Sequence, residues 1–354
     1  MNIVVFLDHY PHVNFFKNAI REIRRKGIEV ELIVQPRGNL TSLVEYELGT
    51  PFTIVGHYQP TLIKKAQNML MNEINVFKYL LKNSCDVATG VGCIELAHSA
   101  FILRKPSVVF QDDIEYRLAY YPVKYIASRI VLPNCVPAKG RNILKYKGFK
   151  ELAYLHPNRF TPKEDVLKEY RLKPDNYVFI REVLNTSNNY KGLKEGALAH
   201  LCPEIKRMGF DIVLSLENKE LSKKFEDHCI ILKEPVSDIH SLMHYAALTI
   251  ASGDSMARES CLLGTPAIYT GGRIMSVNSE LEKRGCFFRC EPDKEQIFKT
   301  ISKILERDLK DRTKQVIGEA IKDEWEDTTE VIVNNLLSAI YRDDNLIEKY
   351  RIRS

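Results

Sequence analysis

One short stretch of this chain combines residue types that can hold an anion. Ser252 and Gly253 follow an apolar run that predicts a strand, and they open a short helical pattern that ends before a second strand-like run. The first N–H groups of a helix have no partner inside it, and the helix dipole stabilises a nearby anion by up to about 2 kcal/mol, so such a turn suits a diphosphate. Glu259 lies further along the same helix, where its carboxylate can accept hydrogen bonds from two neighbouring hydroxyls such as those of a ribose. The stretch therefore predicts a nucleotide-sugar pocket.

An ordinary helix boundary is the alternative explanation for the same residues. Ser, Gly and Asp are common at the start of helices, and Leu-Gly-Thr-Pro at 263–266 is a common way to end a helix before a strand. Spacing alone leaves both explanations open.

The segment resembles the donor-site pattern of GT-B glycosyltransferases and of the related non-hydrolysing UDP-GlcNAc 2-epimerases. In those families a Ser-Gly pair is followed by a Glu and then by Gly-x-Pro, as at Ser252, Glu259 and Pro266. The resemblance implies a UDP-type nucleotide sugar as the substrate, with the turn on the diphosphate and Glu259 on the ribose. The donor-binding residues that it implies here are Ser252, Gly253, Asp254, Ser255, Met256 and Glu259.

Two cations are predicted beside this pocket. Arg181 ends the first strand of the second domain, and Lys191 opens the helix that follows it. A guanidinium and an ammonium can neutralise a leaving diphosphate without a metal, although surface charges that bracket a loop are the alternative. The pair resembles the Arg…Lys-Gly arrangement of several GT-B families. Ala251 stands where many retaining members carry the first of two glutamates, which disfavours a retaining mechanism of that kind. Because Arg181 and Lys191 can neutralise the diphosphate, we expect no metal and no cofactor besides the nucleotide-sugar substrate.

The loop after the first predicted strand carries candidates for acid–base chemistry. Two imidazoles and a carboxylate, at Asp8, His9 and His12, precede a helix and are suited to removing a proton from an acceptor hydroxyl near neutral pH. A helix cap or packing role is the alternative. The His12-Val13 step resembles that of the glycosyltransferase that makes lipid II, although the glycines that precede it there are absent here. His12, assisted by Asp8 or His9, is the predicted base.

Two further loops of the first half end predicted strands. One contains Gly90 and Gly92, and the other contains Asp112 and Asp113. Adjacent acids can bind Mg²⁺ or sugar hydroxyls, but no Asp-x-Asp of the metal-dependent glycosyltransferase type occurs. We expect these four residues to contact an acceptor, either a glycan or a lipid-linked group.

Strand and helix patterns alternate along the chain, which implies parallel sheets covered by helices. We expect an α/β protein of GT-B type, with two Rossmann-like domains that face a central cleft. The N-terminal acceptor domain is predicted at 1–156, the C-terminal donor domain at 157–325, and a helix that crosses back to the first domain, with a tail, at 326–354. The alternation breaks down between Pro133 and Pro162, which indicates the inter-domain connection.

The whole chain also resembles the domain-of-unknown-function 354 family, which is itself similar to GT-B enzymes. The resemblance rests on the pattern from Asp8 to Asn18, on Leu155-His156-Pro157 with Phe160-Thr161-Pro162, and on Gly253 to Ala257.

The net formal charge of +5 comes from the first half of the chain. Because this excess lacks the aromatic interleaving and recognition helices of nucleic-acid binders, we expect no nucleic-acid partner. A solvated face explains the charge, and peripheral contact with the inner face of an anionic membrane is the functional alternative, for which the amphipathic segment Thr61 to Ser84 is a candidate. Eight scattered cysteines and the lack of a membrane-length apolar run predict a cytoplasmic protein with reduced thiols.

Three hypotheses follow for the function. The first is a metal-independent glycosyltransferase that uses a UDP-type sugar in polysaccharide or glycoconjugate synthesis. The second is an enzyme like the UDP-GlcNAc 2-epimerases, and the third is a nucleotide-sugar-binding protein without catalysis.

Overall fold

The computed structural model describes residues 1–56, 62–115, 117–183, 196–198, 201–233, 236 and 238–351. Its contacts divide the chain into two units. Met1–Arg159 together with Trp325–Ser354 form unit 1, and Phe160–Glu324 form unit 2. Each unit is a parallel sheet flanked by helices, which confirms the predicted α/β class with two Rossmann-like domains.

The sheet of unit 1 has seven strands within the described residues, in the order β3-β2-β1-β4-β5-β6-β7 with parallel pairing. The apolar run of β1 is buried along its whole length, as expected for a parallel strand covered on both faces. The strands are β1 (Asn2–Leu7), β2 (Glu29–Val34), β3 (Thr53–Ile54), β4 (Val87–Val91), β5 (Ser107–Phe110), β6 (Arg129–Pro133) and β7 (Ile143–Tyr146).

The helices of the first part of unit 1 alternate with these strands. In α1 the buried side chains Val13, Phe16, Ile20 and Ile23 recur every three to four residues and pack on the sheet, and Gly27, with φ +77°, ends the turn that follows the helix. The helices are α1 (Tyr10–Arg25), α2 (Leu40–Leu48), α3 (Leu62–Lys82), α4 (Ile94–Ile102), α5 (Arg117–Ile126) and α6 (Leu152–Leu155).

Unit 2 repeats the arrangement in the order β10-β9-β8-β11-β12-β13, again with parallel pairing. Its strands are β8 (Tyr177–Glu182), β9 (Asp211–Leu216), β10 (Ile230–Ile231), β11 (Leu248–Ala251), β12 (Ala267–Tyr269) and β13 (Phe287–Arg289). Its helices are α7 (Asp165–Glu169), α8 (Cys202–Arg207), α9 (Ile239–Tyr245), α10 (Asp254–Leu262), α11 (Ser276–Lys283), α12 (Lys294–Glu306) and α13 (Leu309–Asp323). The helix predicted from Lys191 to Met208 lies partly outside the described residues.

The chain returns to unit 1 after α13. The last helix, α14 (Thr328–Tyr341), packs against α1 and α6 and contacts β4 and β5. Thr328 and Thr329 begin it and donate hydrogen bonds to backbone carbonyls of Phe149 and Ala153. The predicted crossing of the C-terminal helix to the first domain is thereby confirmed.

In each sheet there is one pair of neighbouring strands at which the strand order reverses. From one strand of the pair the chain continues toward one edge of the sheet, and from the other it continues toward the opposite edge. In unit 1 those strands are β1 and β4, and in unit 2 they are β8 and β11. The loops beyond their carboxyl ends diverge and leave a crevice, which is where open α/β sheets bind ligands. The fold therefore selects one loop pair in each unit as the place to look for a site.

The region from Pro133 to Pro162, predicted as a connection, contains β7 and α6. β7 is a four-residue edge strand with Lys145 inside it, and it is too short to give a recognisable strand pattern. Within the ranges that the structure describes, no helix combines the length and the apolar character that crossing a bilayer requires.

Candidate functional site

The loop between β1 and α1 places the predicted base beside a carboxylate. His12 lies in the first turn of α1, and its Nδ1 is 2.7 Å from Asp8 Oδ1. Although burial acts to raise the pKa of Asp8, the charge and hydrogen bond of His12 and the charges of His9 and Arg37 outweigh it and keep that pKa below its usual value. Asp8 is therefore ionised and accepts the Nδ1 proton of His12. This leaves Nε2 as the nitrogen that can take a proton from a substrate.

His9 differs from its neighbour. Burial, reinforced by the charges of His12 and Arg37, lowers the pKa of His9 to about 3. An imidazole with so low a pKa is neutral at physiological pH but is a weak base. Of the two predicted assistants of His12, Asp8 is the one that the electrostatics favour.

The sequence predicts Gly90 and Gly92 in one loop, but Gly90 lies within β4 and only Gly92 follows it. The backbone path requires a glycine at both positions. A Cβ on Gly90 would lie 2.6 Å from Cys93 Sγ and 3.3 Å from the carbonyl oxygen of Phe6 on β1. Gly92 has φ +58°, in the left-handed region that favours glycine. Gly90 lies near the end of the strand and Gly92 in the loop at the β1/β4 crevice, and their predicted contact with an acceptor stays a prediction.

Glu95, in the first turn of α4, is a group that the sequence did not single out. Burial raises its pKa, and the charges of Asp8 and Glu73 act in the same direction. The carboxyl groups of Asp8 and Glu95 thus have pKa values displaced in opposite directions, an arrangement typical of acid–base sites. From sequence Glu95 resembles any acid in the first turn of a helix, so no signal was available.

The loop after β5 separates the two predicted acids. Asp112 is buried and ion-paired with Lys150, whose Nζ is 2.7 Å from Asp112 Oδ2. Asp113 accepts hydrogen bonds within its own loop, from Gln111 Nε2 at 2.6 Å and from the Glu115 N–H at 3.1 Å. Asp112 is therefore held by Lys150 of the same unit. Contact of Asp112 or Asp113 with an acceptor stays a prediction.

Gln111 is a second residue that sequence reasoning did not select. It is only 7% exposed, and its Oε1 has no hydrogen-bond partner among the described residues. That oxygen lies 3.8 Å from where a Cβ on Gly92 would be, in the same loop cluster. A buried acceptor without a partner is destabilising, and a ligand's hydroxyl or N–H would satisfy it.

In unit 2, Ser252 joins the two loops at the β8/β11 crevice. Its N–H donates to the Arg181 carbonyl at 3.0 Å, and its Oγ accepts from the Val183 N–H at 2.9 Å. The Arg181 guanidinium is turned toward β9, where Nη1 donates to Ser215 Oγ at 2.9 Å and Nη2 is 3.7 Å from Glu217 Oε2. Lys191, predicted to act with Arg181, lies outside the described residues.

α10 begins at Asp254, directly after this loop. Gly253 occupies the N-cap position with an extended backbone, and as a glycine it provides no side chain to cap the helix. Ser255 and Met256 are half-buried in the first turn. The leading N–H groups of the helix are therefore presented at the crevice, as the sequence pattern predicts.

Asp254 makes contacts that the sequence did not predict. Its Oδ2 is 2.8 Å from Arg258 Nη1 and 3.5 Å from Arg273 Nη1, and the carboxylate is almost fully buried. A carboxylate repels a diphosphate. Asp254 is therefore better suited to holding the two neighbouring arginines than to contacting a diphosphate directly.

Glu259 lies one turn further along α10 and is largely buried. The Nε2 atom of His240, on α9, is 3.7 Å from Glu259 Oε2. The sequence places His240 and His244 on one helical face. That spacing could supply half of a metal site, but a surface or packing role for both histidines is the simpler interpretation. His244 Nδ1 instead bonds the Leu263 carbonyl at 2.8 Å.

Within the described ranges, no group of three or more His, Cys, Asp or Glu side chains is arranged to hold a metal ion. The expectation of metal-independent chemistry stays a prediction.

Comparison with known proteins places the chain in a family. A family model described as "Protein of unknown function (DUF354)" matches residues 1–341, and the chain belongs to this family. A relative from Methanocaldococcus jannaschii, described as an uncharacterized protein, is 25% identical over 285 residues, which cover 76% of this chain and 82% of the relative.

Solved structures share the fold. The UDP-GlcNAc 2-epimerase of Methanocaldococcus jannaschii, in complex with UDP-GlcNAc and UDP, superposes with a TM-score of 0.71 at 15% identity over 95% of this chain and 99% of that chain. MurG of Acinetobacter baumannii gives a TM-score of 0.62 at 14% identity over 96% of this chain and 100% of that chain. At these identities the likeness shows the fold, which is GT-B as predicted.

Proposed function

We propose that this protein is an enzyme that transfers a sugar from a UDP-sugar to an acceptor, without a metal, in polysaccharide or glycoconjugate synthesis. The GT-B fold supports the proposal, because the neighbours with this fold include an epimerase solved with UDP-GlcNAc and UDP. The observation that carries it is the start of α10, where a helix whose N-cap residue is Gly253 opens at the β8/β11 crevice. In the proposal its N–H groups bind the diphosphate, and Glu259 binds the ribose.

The proposed chemistry in unit 1 rests on His12 and Asp8. His12 Nε2 takes the proton of the acceptor hydroxyl, and Asp8 stabilises the imidazolium that forms. Charge also develops on the departing UDP, where preorganised N–H groups supply the larger share of the stabilisation.

UDP binding tests the donor site. Replacing Glu259 with Ala should weaken UDP binding about 10- to 100-fold, because hydrogen bonds to a charged group are lost. Isothermal calorimetry with UDP and with 2′-deoxy-UDP checks the assignment to the ribose. The deoxy ligand should bind the wild type more weakly than UDP does, whereas Glu259→Ala should bind both alike.

Glu280→Ala is the matched control, since this acid lies on α11 and pairs with Arg284 in the same unit. It should leave UDP affinity unchanged. Unchanged UDP affinity in Glu259→Ala would contradict the ribose assignment. A wild-type protein that shows neither binding nor a rise in melting temperature with any nucleotide diphosphate would refute the proposed substrate class.

Epimerisation of a UDP-sugar is the second candidate function. The observation that favours it is that the Methanocaldococcus jannaschii epimerase superposes on this chain with a higher TM-score than MurG does. Displaced carboxyl pKa values at Asp8 and Glu95 suit a reaction that moves protons on one sugar. Incubation with UDP-GlcNAc alone separates the candidates, because an epimerase changes this sugar and a transferase needs an acceptor. Binding without turnover over a broad acceptor panel would leave a nucleotide-sugar-binding protein.

We also propose peripheral contact of unit 1 with an anionic membrane. α3 packs against α4, and α4 against α5, so these helices form one layer. Their exposed side chains include large apolar residues together with Lys78 and Lys82, a combination that suits the interface of an anionic bilayer. The apolar residues are Leu70, Met71, Leu81, Phe101, Ile102, Tyr121 and Tyr125.

Vesicle sedimentation tests this contact. The wild type should bind phosphatidylglycerol vesicles and not phosphatidylcholine vesicles, and added salt should release it, because salt screens the attraction. The double variant Lys78→Glu, Lys82→Glu should lose the binding. The matched reversal Lys219→Glu, Lys223→Glu, at exposed lysines of unit 2, should keep it. Equal binding to both vesicle types, or to neither, would contradict the proposal.

A further inference from the structure

Arg273 occupies the loop after β12, next to the start of α10. β12 pairs with β11 so that Tyr269 lies opposite Ala251, and the loops that follow the two strands therefore start side by side. The backbone N–H of Arg273 donates to Tyr269 Oη at 3.2 Å, and its Nη1 is 3.5 Å from Asp254 Oδ2. The guanidinium is thus held at the first residue of α10.

Close approach of the two loops depends on a glycine. A Cβ on Gly271 would lie 2.6 Å from the carbonyl oxygen of Ser252, closer than real Cβ contacts allow. Only glycine lets the loop that carries Arg273 lie against the turn that precedes α10.

The two guanidiniums around Asp254 differ in what they can reach. Arg258 is 0% exposed, and its Nη1 also donates to Asn278 Oδ1 at 2.8 Å, so it is enclosed by the protein. The side chain of Arg273 is 18% exposed. A ligand at the start of α10 can therefore meet Arg273 but not Arg258. A planar guanidinium with five N–H donors can hold Asp254 with one edge and present other donors to phosphate oxygens.

We propose that Arg273 binds the diphosphate and that Asp254 positions it. This inference rests on the proposed function, and it deepens that function by naming the cation of the donor site. Asp254 fixes the guanidinium, and the N–H groups of α10 bind the same anion from the adjacent side. The carboxylate that the sequence places among the donor ligands thus acts through Arg273.

Calorimetry with UDP and with uridine tests the inference. Arg273→Met should weaken UDP binding about 10- to 100-fold and leave uridine binding unchanged, because uridine lacks the diphosphate. The salt dependence of UDP binding should also become smaller in this variant, since one cation–phosphate contact is lost. Arg284→Met is the matched control; that guanidinium pairs with Glu324 Oε2 at 2.6 Å elsewhere in unit 2, and its loss should leave UDP affinity unchanged.

A second variant keeps the test decisive if Arg273→Met does not fold. Arg273→Lys retains the charge but not the fork of donors, and it should lower UDP affinity severalfold without changing uridine affinity. If the wild type binds UDP and the Arg273 variants bind it equally well, the inference is wrong and the proposed function stands. An equal loss of UDP and uridine binding would show that Arg273 acts only on the shape of the loop, which also overturns the inference. A wild type that does not bind UDP removes the proposed function, and the inference falls with it.

Discussion

Replacing Asp254 with Leu should lower the free energy of unfolding of unit 2 by about 3–5 kcal/mol. The variant leaves the guanidinium of Arg258 buried at 0% exposure without the carboxylate that lies 2.8 Å away. Asn278 Oδ1 remains as an acceptor, but a neutral amide does not offset the charge. The partly exposed Arg273 can turn to water, so most of the loss comes from Arg258. Urea unfolding followed by circular dichroism measures the effect.

A double variant identifies the buried charge as the cause. Asp254→Leu combined with Arg258→Met removes both ions and fills the space with apolar side chains, which for other buried pairs is close to neutral. The stability should therefore return most of the way to that of the wild type, and the departure from the sum of the two single changes gives the coupling energy. Asp165→Asn is the matched control, because its pair with Lys168 is fully exposed and should contribute nothing measurable. A double variant no more stable than Asp254→Leu would show that the ion pair is not the source of the loss.

The fold followed from the sequence where burial leaves a continuous pattern. Strands such as β1 and β11 are mainly apolar and buried along their whole length because both faces are covered, and helices such as α1 bury one regular stripe. β7 gave no such pattern, because a short edge strand with Lys145 in it is set by its neighbours in the sheet and not by its own residues.

The sequence predicts which residue types occur in the candidate site and which strand ends carry them, but it predicts few of the contacts between them. Asp8 and His12 are four residues apart across the start of α1, so their contact could be anticipated from helix spacing. Arg258 also lies four residues after Asp254, but a charged residue in a helix pattern normally indicates a solvated face, and only the packing shows that it is buried. The contact of His240 with Glu259 joins two separate helices, and no local pattern encodes such a pair.

Replacing His12 with Ala should lower kcat for the UDP-sugar reaction by about 10²–10⁴-fold, the usual contribution of a positioned general base. The geometry supplies the reason, since Asp8 accepts the Nδ1 proton at 2.7 Å and orients Nε2 for the substrate. UDP affinity should not change, because the proposed donor pocket belongs to unit 2. Steady-state kinetics with a productive donor and acceptor, together with UDP calorimetry, checks both statements.

Asp8→Asn gives the graded version of the same experiment. An amide can present its NH₂ group to Nδ1 and so favour the wrong tautomer, and it cannot stabilise the imidazolium, so kcat should fall while KM for the donor stays close to that of the wild type. His228→Ala removes an imidazole from unit 2 and should leave kcat unchanged. A fully active His12→Ala enzyme would exclude His12 as the base. In that case Glu95, in the first turn of α4, would be the next group to replace, because burial raises its pKa.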